Sequence, residues 1–369
     1  MTHVVPPNRP TSPRTPVLVA FALVLAALLT GCSGQEPATA PSSDPVQRLL
    51  DEWADDGHGG VAVAMASDDE ELAVAAAGSA GPQGDALQPD AAFRVGSLSK
   101  TFVSVMVLQL VADGAIGLDD LVTDHAPDLT VARGVTVRQL LAHRTGIPEH
   151  TDGELAPAVL ADPAKAWEAA EVLDLVADQP RDFRAGEKFA YSNSNYVVAG
   201  IVLETVTGTT LADNLRTRIV QPLGLTSTWF APDGARAPIE GFSRALPGGN
   251  TTGSSYRALE TAAGAAGALV SSVSDLATFL RALAHGELLP AETYEEMTHG
   301  LPDEGWSLGV FPSNPPTETG ISHNGSIPGF ATYMQYDPST EDLFVLLVND
   351  DTRSAERLAV ELLEVVRTS

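Results

Sequence analysis

The chain has 369 residues, with 48 Asp and Glu against 21 Lys and Arg, a formal charge of -27 and a single cysteine. So acidic a chain argues against nucleic-acid binding, which needs a basic footprint, and a lone Cys excludes both an intramolecular disulfide framework and a Cys-based metal site. Its field repels anions until screening takes over beyond about 10 Å at 0.1 M salt, so an anionic ligand would need local positive groups in its cleft.

Arg9 and Arg14 precede an apolar run over residues 17–29, short for a membrane span but of signal-peptide length. The run ends in L-T-G-C at 29–32, which resembles the bacterial lipobox, where the Cys becomes the lipidated first residue of the mature protein. The expected organisation is a signal peptide over 1–31, then a lipid-bearing Cys32 with a Pro, Ala, Ser and Gly-rich tether over 32–43, and a folded domain over 44–369. Roughly 300 residues are ample for one composite core.

The domain opens with a helix: Asp44 is its N-cap, Pro45 its first residue, and Val46, Leu49, Leu50 and Trp53 share a face ahead of Gly57. Residues 60–66 and 72–78 are apolar runs around S-D-D-E-E and predict a hairpin. The stretch over 93–110, F-R-V-G-S-L-S-K-T-F-V-S-V-M-V-L-Q-L, is apolar on all sides from Thr101 onward, the pattern of a helix buried all round, with Gly114 as its cap. Thr136 and Gln139 form a capping-box signature, and further helices are expected over 164–177, 196–207, 211–219 and 274–284. Strands are expected over 306–311, 331–336 and 343–348, and an amphipathic helix over 353–366 closes the chain. The fold class is therefore α+β. An antiparallel sheet is built from both chain ends (about 44–95 and 300–369) and flanked by helices, with a mostly helical insert over about 96–299. No repeat appears at solenoid or propeller periods.

Three short patterns can carry chemistry. In S-L-S-K, Ser97 stands three residues before Lys100, so hydroxyl and amine share one helix face. A serine needs a neighbouring base, and a buried lysine loses solvation of its charged form and can become that base. Y-S-N follows at 191–193, and H-N-G at 323–325. There is no G-x-S-x-G elbow, no H-E-x-x-H and no Gly-rich phosphate loop, which argues against an α/β-hydrolase, a catalytic zinc and a nucleotide site. No cofactor or metal is expected.

In this order, and with F-R-V-G-S-L-S-K, V-T-V-R-Q-L-L-A-H-R-T-G-I, F-A-Y-S-N-S-N-Y-V-V-A-G, P-L-G-L-T-S-T and A-A-G-A-L-V-S-S-V-S-D-L around them, the patterns resemble the serine β-lactamase and DD-peptidase superfamily. The branch is that of class C β-lactamases, and secreted D-Ala-D-Ala carboxypeptidases look most similar. The resemblance implies Ser97 as nucleophile of an acyl-enzyme, and Lys100 and Tyr191 as the proton-handling pair, in an order left open. It implies Asn193, His323 and Gly325 as substrate-binding residues, His323 meeting a carboxylate in its positive or neutral form. The backbone N–H groups of Ser97 and Ser326 would be the oxyanion hole. His143 reads as a structural histidine, Asp119 and Asp120 as a turn, and Trp229 and Trp306 as core or cleft wall. The chain departs from the family where no basic residue follows W-S-L-G at 306–309 and where Asn324 replaces the usual Thr.

The implied protein is a lipid-anchored, extracytoplasmic serine hydrolase, monomeric, with a small molecule or peptidoglycan stem as substrate and no nucleic-acid partner. The expected activity is that of a D-alanyl-D-alanine carboxypeptidase that recognises penicillin. The alternatives are a class C-like β-lactamase, a carboxylesterase, or a non-catalytic penicillin- or stem-binding lipoprotein.

Overall fold

The computed structural model describes residues 44–55, 57, 59–66, 71–233, 238–251, 256–299, 306–313 and 320–368. The expected signal peptide, Cys32 and tether lie outside these residues, as does most of the S-D-D-E-E turn. Helices and strands, in order, are α1 (Pro45–Asp55), β1 (Gly60–Ala66), β2 (Ala73–Gly78), β3 (Phe93–Arg94), α2 (Ser99–Ala112), α3 (Val122–His125), α4 (Val137–Leu141), α5 (Leu155–Ala161), α6 (Ala169–Ala177) and α7 (Asn193–Thr207). Then come α8 (Leu211–Leu215), α9 (Gln221–Leu223), β4 (Trp229–Phe230), α10 (Arg257–Gly267), β5 (Leu269–Ser271), α11 (Val273–Ala284), α12 (Ala291–Thr298), β6 (Phe311–Pro312), β7 (Ile321–Ile327), β8 (Phe330–Asp337), β9 (Asp342–Val348) and α13 (Ala355–Thr368).

The main sheet is antiparallel, in the order β2-β1-β9-β8-β7-β6. Its centre joins the two ends of the domain, with Val61 opposite Val348 and Met65 opposite Phe344. Side chains alternate between its faces. Val61, Val63, Phe344 and Leu346 pack outward beneath Leu50 and Trp53 of α1 and Leu358 and Leu362 of α13. Ala62, Ala64, Val345 and Leu347 face inward, onto a core that includes Leu276, Phe279 and Leu280 of α11. Asp44 caps α1 as expected, its carboxylate accepting the Val46 N–H at 2.9 Å.

The apolar run becomes α2, which is buried on nearly every side and stacks Phe102 on Phe279 of α11, 3.7 Å between centroids. The helix ends where Gly114 turns left-handed. A left-handed Gly96 and the 3₁₀ turn Gly96–Leu98 join β3 to α2. The capping box forms: Thr136 Oγ1 accepts the Gln139 N–H at 3.2 Å and Gln139 Oε1 accepts the Thr136 N–H at 3.1 Å.

Four local expectations are corrected. Residues 306–310 are not a strand. Gly309 takes φ +91° and its carbonyl accepts Thr101 Oγ1–H at 2.9 Å, which lays this segment across α2. The helix expected from residue 164 starts at Ala169, because Glu168 caps it in a box with Glu171. The stretch 211–219 breaks into α8 and a π-helical turn, Arg216–Val220. Pro222 has no N–H to give to the Arg218 carbonyl, and Gln109 Nε2 donates to that oxygen at 3.4 Å instead. Finally, the helical region contributes β4 and β5 to a small sheet, β3-β5-β4, whose strands of two or three residues are too short to show alternation.

Candidate active site

Ser97 stands in the 3₁₀ turn, between the sheet and the buried helix. Gly96 is pressed on β7: a Cβ there would lie 3.0 Å from the backbone C, N and O of Ser326. Gly325 repeats the approach from the other side, since its Cβ would fall 2.3 Å from the Val95 carbonyl oxygen. The two glycines let the Ser97 turn and the Ser326 backbone touch. Beyond Ser322, the outer edge of β7 has no strand partner among the described residues, so its polar backbone can face a substrate.

One turn into α2, Lys100 is fully buried. Its Nζ donates to Ser97 Oγ at 3.0 Å, to Asn193 Oδ1 at 2.7 Å and to the Ala266 carbonyl at 2.6 Å. Burial lowers its pKa to about 7, partly opposed by the Glu149 carboxylate. Tyr191 shares a side-chain hydrogen bond with Ser97, and its ring centroid lies 5.0 Å from Nζ. Burial, and to a lesser degree Glu149, push the phenol well above its usual range despite the Ser97 bond. The amine can therefore be neutral near pH 7 while the tyrosine keeps its proton. Two acceptors would hold the hydrogens of a neutral amine and turn its lone pair on Ser97.

The structure brings Ser97, Lys100, Tyr191 and Asn193 together, as the order of motifs implied, and sets Gly325 and Ser326 across from them. His323 is buried at the foot of β7, its Nδ1 2.5 Å from the Asn324 carbonyl and its ring edge-on to Trp306 at 5.3 Å. Burial, then Lys100, depress its pKa to about 3. Of the two forms considered for His323, only the neutral imidazole survives this environment, so it offers a carboxylate no charge. Trp306 is core, 2 % exposed, with its indole N–H on the Leu141 carbonyl.

Sequence reasoning missed Glu149. Its carboxylate accepts the Asn193 N–H at 2.5 Å, Asn193 Nδ2–H at 3.1 Å and the Thr151 N–H at 2.9 Å, with 17 % of the side chain exposed. His150 Nδ1 is 3.7 Å away, and burial lowers that imidazole's pKa. Among the described residues, the cation nearest to full charge beside this carboxylate near neutrality is thus the half-protonated Lys100. The available signal was an acidic residue directly after the H-R-T-G-I-P segment, which folds back along 190–195. There Thr145 Oγ1 donates to Asn195 Oδ1 at 2.6 Å, and the His150 N–H to Ser194 Oγ at 3.1 Å. A cleft of about 140 Å³ opens in front of Ser97, with Leu155, Leu259, Ala262 and Ile327 as its apolar wall and Asn193 and Ser326 as polar lining.

The Beta-lactamase family profile matches residues 46–367. The chain belongs to that family. That family lies in the superfamily that unites β-lactamases and penicillin-binding proteins. It is 32% identical over 158 residues to penicillin-binding protein 4 of Amycolatopsis lactamdurans (41% of this chain, 39% of the relative). To the putative penicillin-binding protein PbpX of Bacillus subtilis it is 25% identical over 71% of this chain and 63% of the relative. The chain thus spans less than two thirds of the length of these curated relatives. Solved structures match at nearly full length. The D-amino acid amidase of Ochrobactrum anthropi, complexed with D-phenylalanine, superposes with a TM-score of 0.76 and 28% identity, covering 88% of this chain and 98% of that one. A D-stereospecific amidohydrolase from Streptomyces superposes at 0.74 with 30% identity, covering 86% and 96%.

Proposed function

We propose that the protein is a serine hydrolase and cleaves amides whose acyl part carries a free ammonium group: D-amino acid amides and short D-configured peptides. The observation that carries this reading is Glu149, a carboxylate held beside the Ser97–Lys100–Asn193 cluster without a full cationic partner. A substrate ammonium would supply the missing charge. The leaving-group side is the converse. No Lys or Arg occurs between residues 282 and 352, and His323 is neutral, so nothing cationic on β6–β8 awaits a terminal carboxylate. The structural neighbours described as D-amino acid amidase and D-stereospecific amidohydrolase support the same class.

In this mechanism neutral Lys100 takes the Ser97 proton as Oγ attacks the amide carbon. The oxyanion forms against the N–H groups of Ser97 and Ser326. Its collapse breaks the C–N bond, Tyr191 passes a proton to the departing nitrogen, and an acyl-enzyme ester remains. Water, deprotonated by the same pair, then releases the acid and restores Ser97.

The second reading is a penicillin-recognising D-Ala-D-Ala carboxypeptidase, supported by relatives named as penicillin-binding proteins. Hydrolysis of D-phenylalanine amide, its N-acetyl derivative and an acyl-D-Ala-D-Ala peptide separates the two. We expect the free amine to be preferred by tenfold or more, about 1.4 kcal/mol, and Glu149→Gln to erase that preference while sparing neutral aryl esters. Equal turnover of amine and N-acetyl amide would refute the role of Glu149, and preferred cleavage of the acyl peptide would install the carboxypeptidase. The address belongs to the same proposal: attachment through a lipid on Cys32 to the outer face of the cell membrane, supported by the L-T-G-C pattern. Fatty-acid labelling lost in Cys32→Ser tests it.

A further inference from the structure

We propose that His143 is a positioning residue for Tyr191, fixing the phenol against Ser97 through its carbonyl, its Nδ1 and its ring face. The proposal rests on the reading of Tyr191 as proton carrier.

The first observation is a backbone position that glycine fits best and that a side chain occupies only at a cost. Helix α4 closes in a Schellman turn, with the Arg144 N–H on the Gln139 carbonyl at 2.8 Å and the His143 N–H on the Leu140 carbonyl at 3.3 Å. This geometry forces the residue between them into the left-handed region, where His143 sits at φ +53°. Glycine is the favoured occupant, and a side chain there costs about 1–2 kcal/mol. Among the described residues only Glu341 is another non-glycine at positive φ. Such a position persists when the side chain makes contacts that hold it there.

Most of those contacts converge on one segment, residues 189–196. The His143 carbonyl accepts the Ala190 N–H at 3.0 Å, and its Nδ1 accepts the Ser192 N–H at 3.1 Å. Both chain neighbours of Tyr191 are therefore bonded to the same residue. Asn195 Nδ2 also lies 3.1 Å from Nδ1, and two donors on one nitrogen place the imidazole proton on Nε2. Between the two backbone bonds the rings of His143 and Tyr191 stack, with centroids 4.3 Å apart and planes at 29°. Trp306 closes the box, 4.7 Å from His143 and edge-on to Tyr191 at 5.6 Å. Burial, with Lys100 and His323 nearby, keeps the imidazole neutral. It is a flat, uncharged plate behind the phenol, and no proton transfer is assigned to it.

The test is a double-mutant cycle read as the rate at which a fluorophosphonate labels Ser97, followed by intact mass. His143→Asn is the first variant. Asn tolerates the left-handed backbone, and its side-chain oxygen takes the place of Nδ1, so the bonds remain and the stack is lost. Misplacement of a reacting group by 1 Å can cost about 100-fold. We expect His143→Asn to slow labelling by about tenfold or more, and to lower kcat for an aryl ester while leaving KM in place. In a Tyr191→Phe background it should have no further effect. Equal slowing in both backgrounds, or none in the wild type, overturns the proposal. A wild-type rate for Tyr191→Phe alone removes Tyr191 from the mechanism, and the proposal with it, whatever His143 does. If His143→Asn does not fold, His143→Gln takes its place in the same cycle, where its effect must likewise vanish.

Discussion

Gly325→Ala adds one methyl group at the tightest contact in the site. Its carbon would stand 2.3 Å from the Val95 carbonyl oxygen, 2.4 Å from Thr332 Oγ1 and 3.0 Å from Leu98 Cδ1. Carbon–oxygen contacts begin at about 3.3 Å, so the overlap with Val95 is close to 1 Å. Thr332 can rotate away only by giving up its 3.0 Å bond to that same carbonyl. Val95 is backbone, two residues before Ser97, so relief must move the Ser97 turn away from β7. Overpacking of this kind costs about 1–3 kcal/mol, or a Tm drop of roughly 3 °C for the middle of that range in a domain of this size. The effect on chemistry should be larger. A 1 Å parting of Ser97 from Ser326 opens the oxyanion hole, for which about 100-fold is the expected loss. Fluorophosphonate labelling and thermal unfolding on the same sample give both numbers. Labelling at the wild-type rate would mean that the Ser97–Ser326 approach is not the catalytic geometry.

Acylation of a neutral aryl ester should rise with pH through a midpoint near 7, because only the unprotonated Lys100 amine can take the Ser97 proton; a flat profile from pH 5 to 9 would exclude it as base. Glu149→Gln removes the charge that raises the Lys100 pKa, so the midpoint should move to lower pH, and an upward move contradicts the assignment. Glu260→Leu leaves Arg94, whose side chain is 10 % exposed and 2.7 Å from the lost carboxylate, as an unpaired buried cation. About 3–5 kcal/mol of stability should go, and a loss below 1 kcal/mol by denaturant titration would mean that solvent reaches the guanidinium. Thr136→Ala, which removes half of the capping box of α4, should cost about 1 kcal/mol in the same titration.

The motifs led to the cluster of Ser97, Lys100, Tyr191 and Asn193 because they are local: Ser97 and Lys100 are one helical turn apart, and Tyr191 and Asn193 flank a helix start. Strands β1, β2, β8 and β9 and the helix α2 were equally legible as apolar runs, whereas β7, I-S-H-N-G-S-I, carries too many polar residues to announce a strand. Three kinds of feature were hidden. Strands such as Phe93–Arg94 exist only through their partners. The helix α10, R-A-L-E-T-A-A-G-A-A-G, is too rich in small residues to show a face, yet it delivers the Ala266 carbonyl to Lys100. Glu149 and the neutral state of His323 depend on burial and on charges from distant segments. The former reading of His143 as structural came from the same limit: nothing in H-R-T-G announces that its ring will lie on Tyr191, 48 positions later.

The central pairing of β1 with β9 has a consequence in time as well as in space. Val61 waits for Val348, and the Ser97 turn waits for Ser326, so an incomplete chain can hold Ser97 and Lys100 without the proposed oxyanion hole. Folding of this kind is slow to start, because long loops must close before their contacts are gained. A growing polypeptide therefore carries a disarmed serine until its last strands arrive. On the proposed mechanism the chain acquires its reactivity in one step, when β7–β9 are in place, and a truncated product should be inert rather than promiscuous.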